Sequence, residues 1–541
     1  MAKKSQGESL SVSVKVAWGF ADLGINIFVY LKSIVIFAFM TQYMGIGAAL
    51  SGLVTGLVVL TDMVTDPLIG VWSDRSSSGF GSRFGRRRPF MVLGMILMFA
   101  FTYLMFSPPG LTGTAAALWV LIFYALASVG FTLVAVPYGA MATEMTKSRQ
   151  ARTLMMGFRF AFASIGLLLA GLLVTPSAIA TGSLTTWLTL GTLMILPITV
   201  CVLGTARAPR IDQGVTVPLL RQLTLLRAHP HFIRHVMAYG IMTLGVAILS
   251  SGIVFITTDV AIRQVQSDSY ATFFTQDFDF RNEAERQALG LVVPEGGWRD
   301  KQGKPVPPDA VQQIDPRVPN WFDAIDFQTL EDSPYGRIQA EAVQGLLNRA
   351  IQTQIIGPGA ILVSLAGFFG AVFALFLLGS IISQLLWVRL ARTMGRSRAL
   401  VLGLLLYGSL VCLYWLVLRS GNPTAIVYGT FFLGLCNGAY QNLPWAILPN
   451  LIEEAKAQGQ GNAEGLFNGI WLSGQKIANS IGPALFGILI ALFGFQESTL
   501  GFSPQTAQAS AALEVCMTIL PSLFFLAAIP LFLSIRSDLR R

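Results

Sequence analysis

Apolar residues dominate the chain in long runs, separated by short polar stretches rich in arginine and glycine. Runs of spanning length are centred near residues 28, 60, 99, 126, 165, 196, 245, 373, 408, 434, 482 and 524. A hydrocarbon core about 30 Å thick takes about 20 apolar residues to cross as a helix. In lipid only helices and closed barrels satisfy every backbone donor and acceptor. The pattern predicts an all-α polytopic membrane protein of twelve transmembrane helices. The first run carries Lys15, Asp22 and Lys32 and is too long for a cleavable leader, so it reads as a span.

Composition agrees: the chain is only 12% charged, about half the share of a soluble domain, and its mean hydropathy is +0.62. The net charge of +9 is unevenly spread. Residues 259–349 hold 15 acids and 9 bases, while the remainder holds 13 acids and 28 bases. Those bases follow the even-numbered runs: Arg75, Arg83, Arg86, Arg87 and Arg88, then Lys147, Arg149 and Arg152, then Arg207 to Arg234. They recur at Arg389 to Arg398 and Arg536 to Arg541, with Lys456 alone after the tenth run. Short basic loops mark the cytoplasmic side. Both termini are therefore expected in the cytoplasm, in a bacterial inner membrane, and the charge is no nucleic-acid footprint. The four cysteines lie in apolar runs and read as small hydrophobes. His229, His231 and His235 read as an interfacial cluster; with no cysteine or carboxylate beside them, no metal site is expected.

The two halves echo each other. Gly85-Arg86-Arg87-Arg88 precedes the third run and Pro137-Tyr138-Gly139-Ala140 closes the fourth. Gly395-Arg396-Ser397-Arg398 and Pro444-Trp445-Ala446 hold the same places in the second half. We expect a six-helix bundle over 1–205, a cytoplasmic central loop over 206–231, and a second bundle over 232–541. Such a pair of six-helix bundles resembles the major facilitator fold. Between spans seven and eight lies a polar, proline-punctuated insertion, 259–355, with a helical stretch near Pro334 to Gln354. It is expected to be a spacer forming an extracytoplasmic, partly ordered cap.

The stretch with the most chemistry is Leu60 to Phe90. Asp62 and Asp66 lie inside its apolar part. Four residues apart on a helix, their carboxylates share one face at roughly 6 Å. Intramembrane acids are rare, face bundle interiors or wet cavities, and mark ion or proton paths. Asp62 lies turns deeper along the helix than Trp72, so simple solvation at the headgroups suits it poorly. The pair is suited to sharing a proton or holding a small hard cation. Lys476 is a second buried charge that needs a partner, and the acid pair is the obvious one.

The pattern Asp62-x-x-x-Asp66-Pro67-x-x-Gly70-x-x-Ser73-Asp74-Arg75, followed by Gly85-Arg86-Arg87-Arg88-Pro89, resembles the glycoside–pentoside–hexuronide:cation symporter family. Gly19 to Asn26, Pro137-Tyr138 with Glu144, Arg152 and Arg159, and Phe467 to Trp471 with Lys476 agree with it. The resemblance implies that Asp62, Asp66 and Thr132 hold the coupling cation, and that Lys476 and Arg159 couple it to substrate. It implies that Asp74, Arg75, Arg86, Arg87 and Arg88 form a structural latch in the cytoplasmic loop. The sugar-binding acids of the family's melibiose permeases are replaced here by Asn26 and Ala135, so melibiose itself is not the expected substrate. Asp22 is the acid of the first helix, and Lys32 is a further departure. Lys32 suits an acidic sugar; pairing with Asp22, ten residues away on another face, is the weaker reading.

Asn26, Tyr30, Tyr138, Tyr440, Gln441 and Trp445, with Thr132, Asn437 and Asn442, supply the amides, hydroxyls and aromatic platforms of a sugar site. Alternatively, Asn437 to Asn442 bond helix to helix. The expected function is cation-coupled symport of a sugar or glycoside, with Na⁺ or H⁺ as coupling ion, no cofactor, and a monomer in the bilayer. Alternatives are a lysolipid or organic-anion carrier, or a non-transporting membrane sensor. There is no nucleophile–base set, phosphate loop or metal cluster to support an enzyme.

Overall fold

The computed structural model describes residues 10–75, 85, 87–146, 148–180, 182–208, 229–257, 298–299, 305–306, 355–457, 464–498 and 505–534. The expected helix near Pro334 to Gln354, most of the central loop, Arg86, and the side chains of Asp74 and Arg75 lie outside them.

Twelve long helices account for nearly all of this. They are α1 (Val12–Tyr43), α2 (Ala48–Arg75), α3 (Arg88–Met105), α4 (Gly113–Met145), α5 (Arg149–Leu173) and α6 (Leu184–Gly204). The second half has α7 (Pro230–Phe255), α8 (Pro358–Met394), α9 (Arg396–Arg419), α10 (Pro423–Ala457), α11 (Glu464–Leu492) and α12 (Ala507–Leu533). Eleven are long and apolar enough to cross a membrane. The remaining one, α10, is long enough at 35 residues but is diluted by Asn437, Tyr440, Gln441 and Asn442. The insertion contributes one antiparallel strand pair among the described residues, β1 (Trp298–Arg299) with β2 (Pro305–Val306).

Helix starts follow local chemistry. Ser148, Ser183 and Thr506 cap α5, α6 and α12 by accepting from the backbone N–H three residues on. Proline opens α3, α7 and α8, where its missing N–H costs nothing. One turn of α1, Leu31–Val35, is π-helical. Such turns add a residue to the helix and cluster at functional sites.

The core runs through both halves as one cluster of buried side chains. The halves meet along α2 with α11 and along α5 with α8. At the α2–α11 crossing the backbones nearly touch. A Cβ built on Gly52 would lie 2.5 Å from the Pro483 carbonyl oxygen, and one on Gly56 would lie 2.7 Å from that of Ser480. Small residues allow such approaches between membrane helices. The Ser480 hydroxyl donates to the Gly56 carbonyl at 2.7 Å.

The face opposite the basic loops is sealed between the halves. Gly45 N–H donates to Ser498 O at 3.0 Å, and Ser498 N–H donates to Thr41 O at 2.9 Å. Glu497, just past α11, accepts from the Ala48 N–H at 3.0 Å, so one half caps the first turn of α2 in the other. Removing a cap costs about 1 kcal/mol, which is roughly fivefold in an equilibrium. Glu497→Ala is therefore expected to shift the carrier about fivefold toward opening on this face. Thiol labelling of a cysteine placed at Ser33 would detect it. Glu497→Gln, which keeps an acceptor oxygen, is expected to label like the parent protein. Equal labelling of all three would remove Glu497 from the seal.

On the basic face, Arg87 donates from Nε and Nη2 to Glu144 at 3.0 and 2.8 Å, and from Nη1 to the Ser73 hydroxyl at 2.7 Å. Arg88 donates to the hydroxyl and carbonyl oxygens of Thr205. Both contacts staple helices within the first bundle; neither crosses to the second.

Candidate functional site

Charges inside the helical core gather in two places. In the first, α1, α2, α4, α7 and α11 surround a cavity of about 310 Å³. Asp62 and Asp66 both line it, as expected from their shared helix face. Each acid has its own lysine. Lys476 of α11 donates to Asp66 Oδ2 and, at 3.2 Å, to the Asp62 carbonyl oxygen. Lys32 of α1 reaches Asp62 Oδ2 at 2.9 Å. Thr132 of α4 donates to Asp66 Oδ1 at 2.9 Å. Asp62 is 5% exposed. Its other oxygen, Oδ1, is buried without a hydrogen-bond partner among the described residues. A buried orphan carboxylate oxygen is costly, and it is a ready ligand for a cation. Asp66 is 34% exposed through its side chain, so water reaches that side of the pair. Pro67 lacks the N–H that would bond Met63 O, which breaks the helix ladder beside the acids.

Lys32 thus meets Asp62 and not Asp22, the partner that helical spacing already disfavours. Asp22 is instead bonded by Arg159 Nε of α5 at 2.5 Å. Arg159 also lies over the Tyr138 ring, 5.3 Å from its centre. Tyr138 stacks on Trp18 at 4.7 Å, and Trp18 Nε1 donates to the Tyr138 carbonyl. This second cluster brings Arg159 and Tyr138 together. Asn26 belongs to neither cluster: its amide is spent on the Asp22 carbonyl at 2.8 Å, one turn back along α1. Tyr30 is also displaced from a sugar site. It is fully buried, with its ring against Phe373 of α8 at 5.3 Å.

The second half builds an aromatic ladder on the equivalent helices. His235 stacks on Trp471 at 4.8 Å, Trp471 on Tyr239 at 3.8 Å, and Tyr239 on Tyr440 at 6.2 Å. Trp445 meets Trp471 edge-on at 5.7 Å and is 41% exposed. Gln441 is exposed nearby on α10. Trp471, Tyr239 and Trp18 were not singled out as site residues, because an aromatic in an apolar run looks like core. The repeat held a signal: Pro137-Tyr138 and Pro444-Trp445 are matched positions, and each meets an aromatic of the first helix of its half or of a neighbour. Asn437 donates to the Ser380 hydroxyl of α8 at 3.1 Å, so it bonds helix to helix. The three histidines differ in burial: His229 and His235 are buried and His231 is half-buried. His235 is fully buried and donates from Nε2 to Pro444 O at 3.1 Å, and His229 is buried against Phe467. No group of metal-ligating side chains occurs among the described residues.

Comparison with known proteins places these features in a lineage. Residues 17–276 and 364–537 match the family described as MFS/sugar transport protein. An uncharacterised symporter of Synechocystis sp. is 36% identical over 176 residues, 31% of each chain. A glucuronide carrier protein homolog of Escherichia coli is 26% identical over 171 residues, 31% of this chain and 36% of that one. The aligned stretch thus spans about a third of the length of these relatives. The crystal structure of a D-xylose–proton symporter superposes with a TM-score of 0.52 at 11% identity, covering 97% of both chains, a likeness of fold alone. The chain belongs to the MFS/sugar transport protein family, in the branch of glycoside–pentoside–hexuronide:cation symporters whose motifs it carries.

Proposed function

We propose that the protein is a secondary active transporter that carries a sugar or glycoside together with Na⁺ or H⁺ across a cytoplasmic membrane by alternating access. The observation that carries this reading is the acid pair with an exchangeable ammonium on each carboxylate, set between the two halves. A cation arriving at Asp62 Oδ1 and Asp66 displaces the lysines. Because Lys476 belongs to the second half and the acids to the first, that displacement changes how tightly the halves are held. The seal on one face, together with the partial exposure of Asp66 and Lys476 (24%), suits one end of such a cycle. The basic loops on the face opposite the seal support a cytoplasmic orientation for that end. The cavity lining of Ser33, Ser250, Gln475 and Asn479 suits a hydroxylated solute.

The test is uptake of labelled glycosides into proteoliposomes under an inward Na⁺ gradient or an inward pH gradient. Accumulation above equilibrium under one gradient is expected. Uptake that only equilibrates, with either gradient, would reject coupled transport. The gradient that drives it names the ion.

A further inference from the structure

We propose that Lys32 makes this carrier selective for a monoanionic solute, whose acid group takes over the ammonium that Asp62 otherwise holds. The proposal rests on the symport reading above. Four charged side chains line the cavity, Lys32, Asp62, Asp66 and Lys476, so the site is neutral before anything binds. A cation at the acid pair leaves it at plus one. An uncompensated charge in a low-dielectric interior is expensive. A monoanion restores neutrality, whereas a neutral sugar does not. With one lysine in place of two, the same acid pair would start at minus one, and a cation alone would balance it.

Among the described residues, the one carboxylate bonded to Lys32 is Asp62. It sits on the π-helical turn of α1, with its ammonium 5.1 Å from the Phe131 ring and 5.9 Å from that of Phe28. Its Asp62 bond is 2.9 Å long. Asp22, the acid of α1 itself, is bonded by Arg159. The Lys32 side chain is 13% exposed and lines the cavity together with Ser33, Gln475 and Asn479. A carboxylate or sulfonate on the solute is the partner that this position fits. The cargo of one cation and one monoanion then carries no net charge, so membrane voltage does not drive it.

The experiment compares methyl β-D-glucuronide with methyl β-D-glucoside in proteoliposomes holding the full chain. Uptake is measured under the effective cation gradient, with and without a potassium-diffusion potential. The glucuronide is expected to be preferred about 10-fold or more in kcat/KM, with no effect of voltage. Lys32→Gln is expected to lose that preference and Lys32→Arg to recover much of it. Equal or better uptake of the glucoside, or voltage-driven uptake of the glucuronide by the unaltered protein, overturns the role of Lys32 and leaves symport standing. These two measurements need no variant, so a misfolded Lys32→Gln does not protect the idea. Accumulation of neither solute under any gradient overturns both.

Discussion

Asp62→Asn is expected to abolish uphill accumulation while sparing exchange of substrate across the membrane. The carboxylate is buried, contributes the orphan oxygen Oδ1, and holds Lys32 through Oδ2. Taking one partner from a buried ion pair costs about 3–5 kcal/mol. At about 1.4 kcal/mol per tenfold, a comparable loss in cation binding is a roughly 100- to 4,000-fold loss of affinity. Exchange needs only that the loaded carrier turn over, so it is expected to fall by less than about 10-fold. Asparagine also leaves Lys32 without its counter-charge, which threatens folding. Asp62→Asn with Lys32→Gln removes both charges and separates the two effects. If the double variant folds and loses exchange as fully as accumulation, Asp62 has no special place in coupling.

The second large effect is steric. Gly52→Val should hold the face opposite the basic loops open and cut transport about 10-fold or more. The atoms a side chain would meet at Gly52 are backbone: the Pro483 carbonyl at 2.5 Å and Ala484 Cα at 3.0 Å. Neither can swing aside as a flexible side chain would. Overpacking costs about 1–3 kcal/mol or more, and here the whole penalty falls on the closed arrangement of α2 against α11. A state with those helices parted does not feel it. The measurement pairs transport with thiol labelling at a cysteine placed in the cavity at Ser33, applied from the sealed side. Rising labelling with falling transport is the expected pair. Unchanged labelling and transport would mean that the helices never approach this closely in the working carrier.

Much of the architecture is legible without coordinates because the bilayer imposes it. A run of about 20 apolar residues has one stable form in lipid, so span number and the two halves follow from the pattern. The tenth span shows the limit: its polar residues thin the signal, yet Asn437 finds Ser380 of α8 and the helix packs. The insertion is the reverse case, since no membrane constraint acts on a polar segment.

The acid pair was equally legible, because helical spacing alone puts Asp62 and Asp66 on one face, and a lysine in an apolar run demands an acid. What spacing does not determine is which acid. That depends on how α1, α2, α5 and α11 cross and how each is rotated about its axis. The π-helical turn at Leu31–Val35 changes the phase of α1 just where Lys32 sits. The tertiary structure therefore decided that Lys32 meets Asp62, that Arg159 meets Asp22, that Asn26 turns back on its own helix, and that His235, Trp471, Tyr239 and Tyr440 stack. Periodicity along one helix specifies a face; only packing between helices specifies what that face meets.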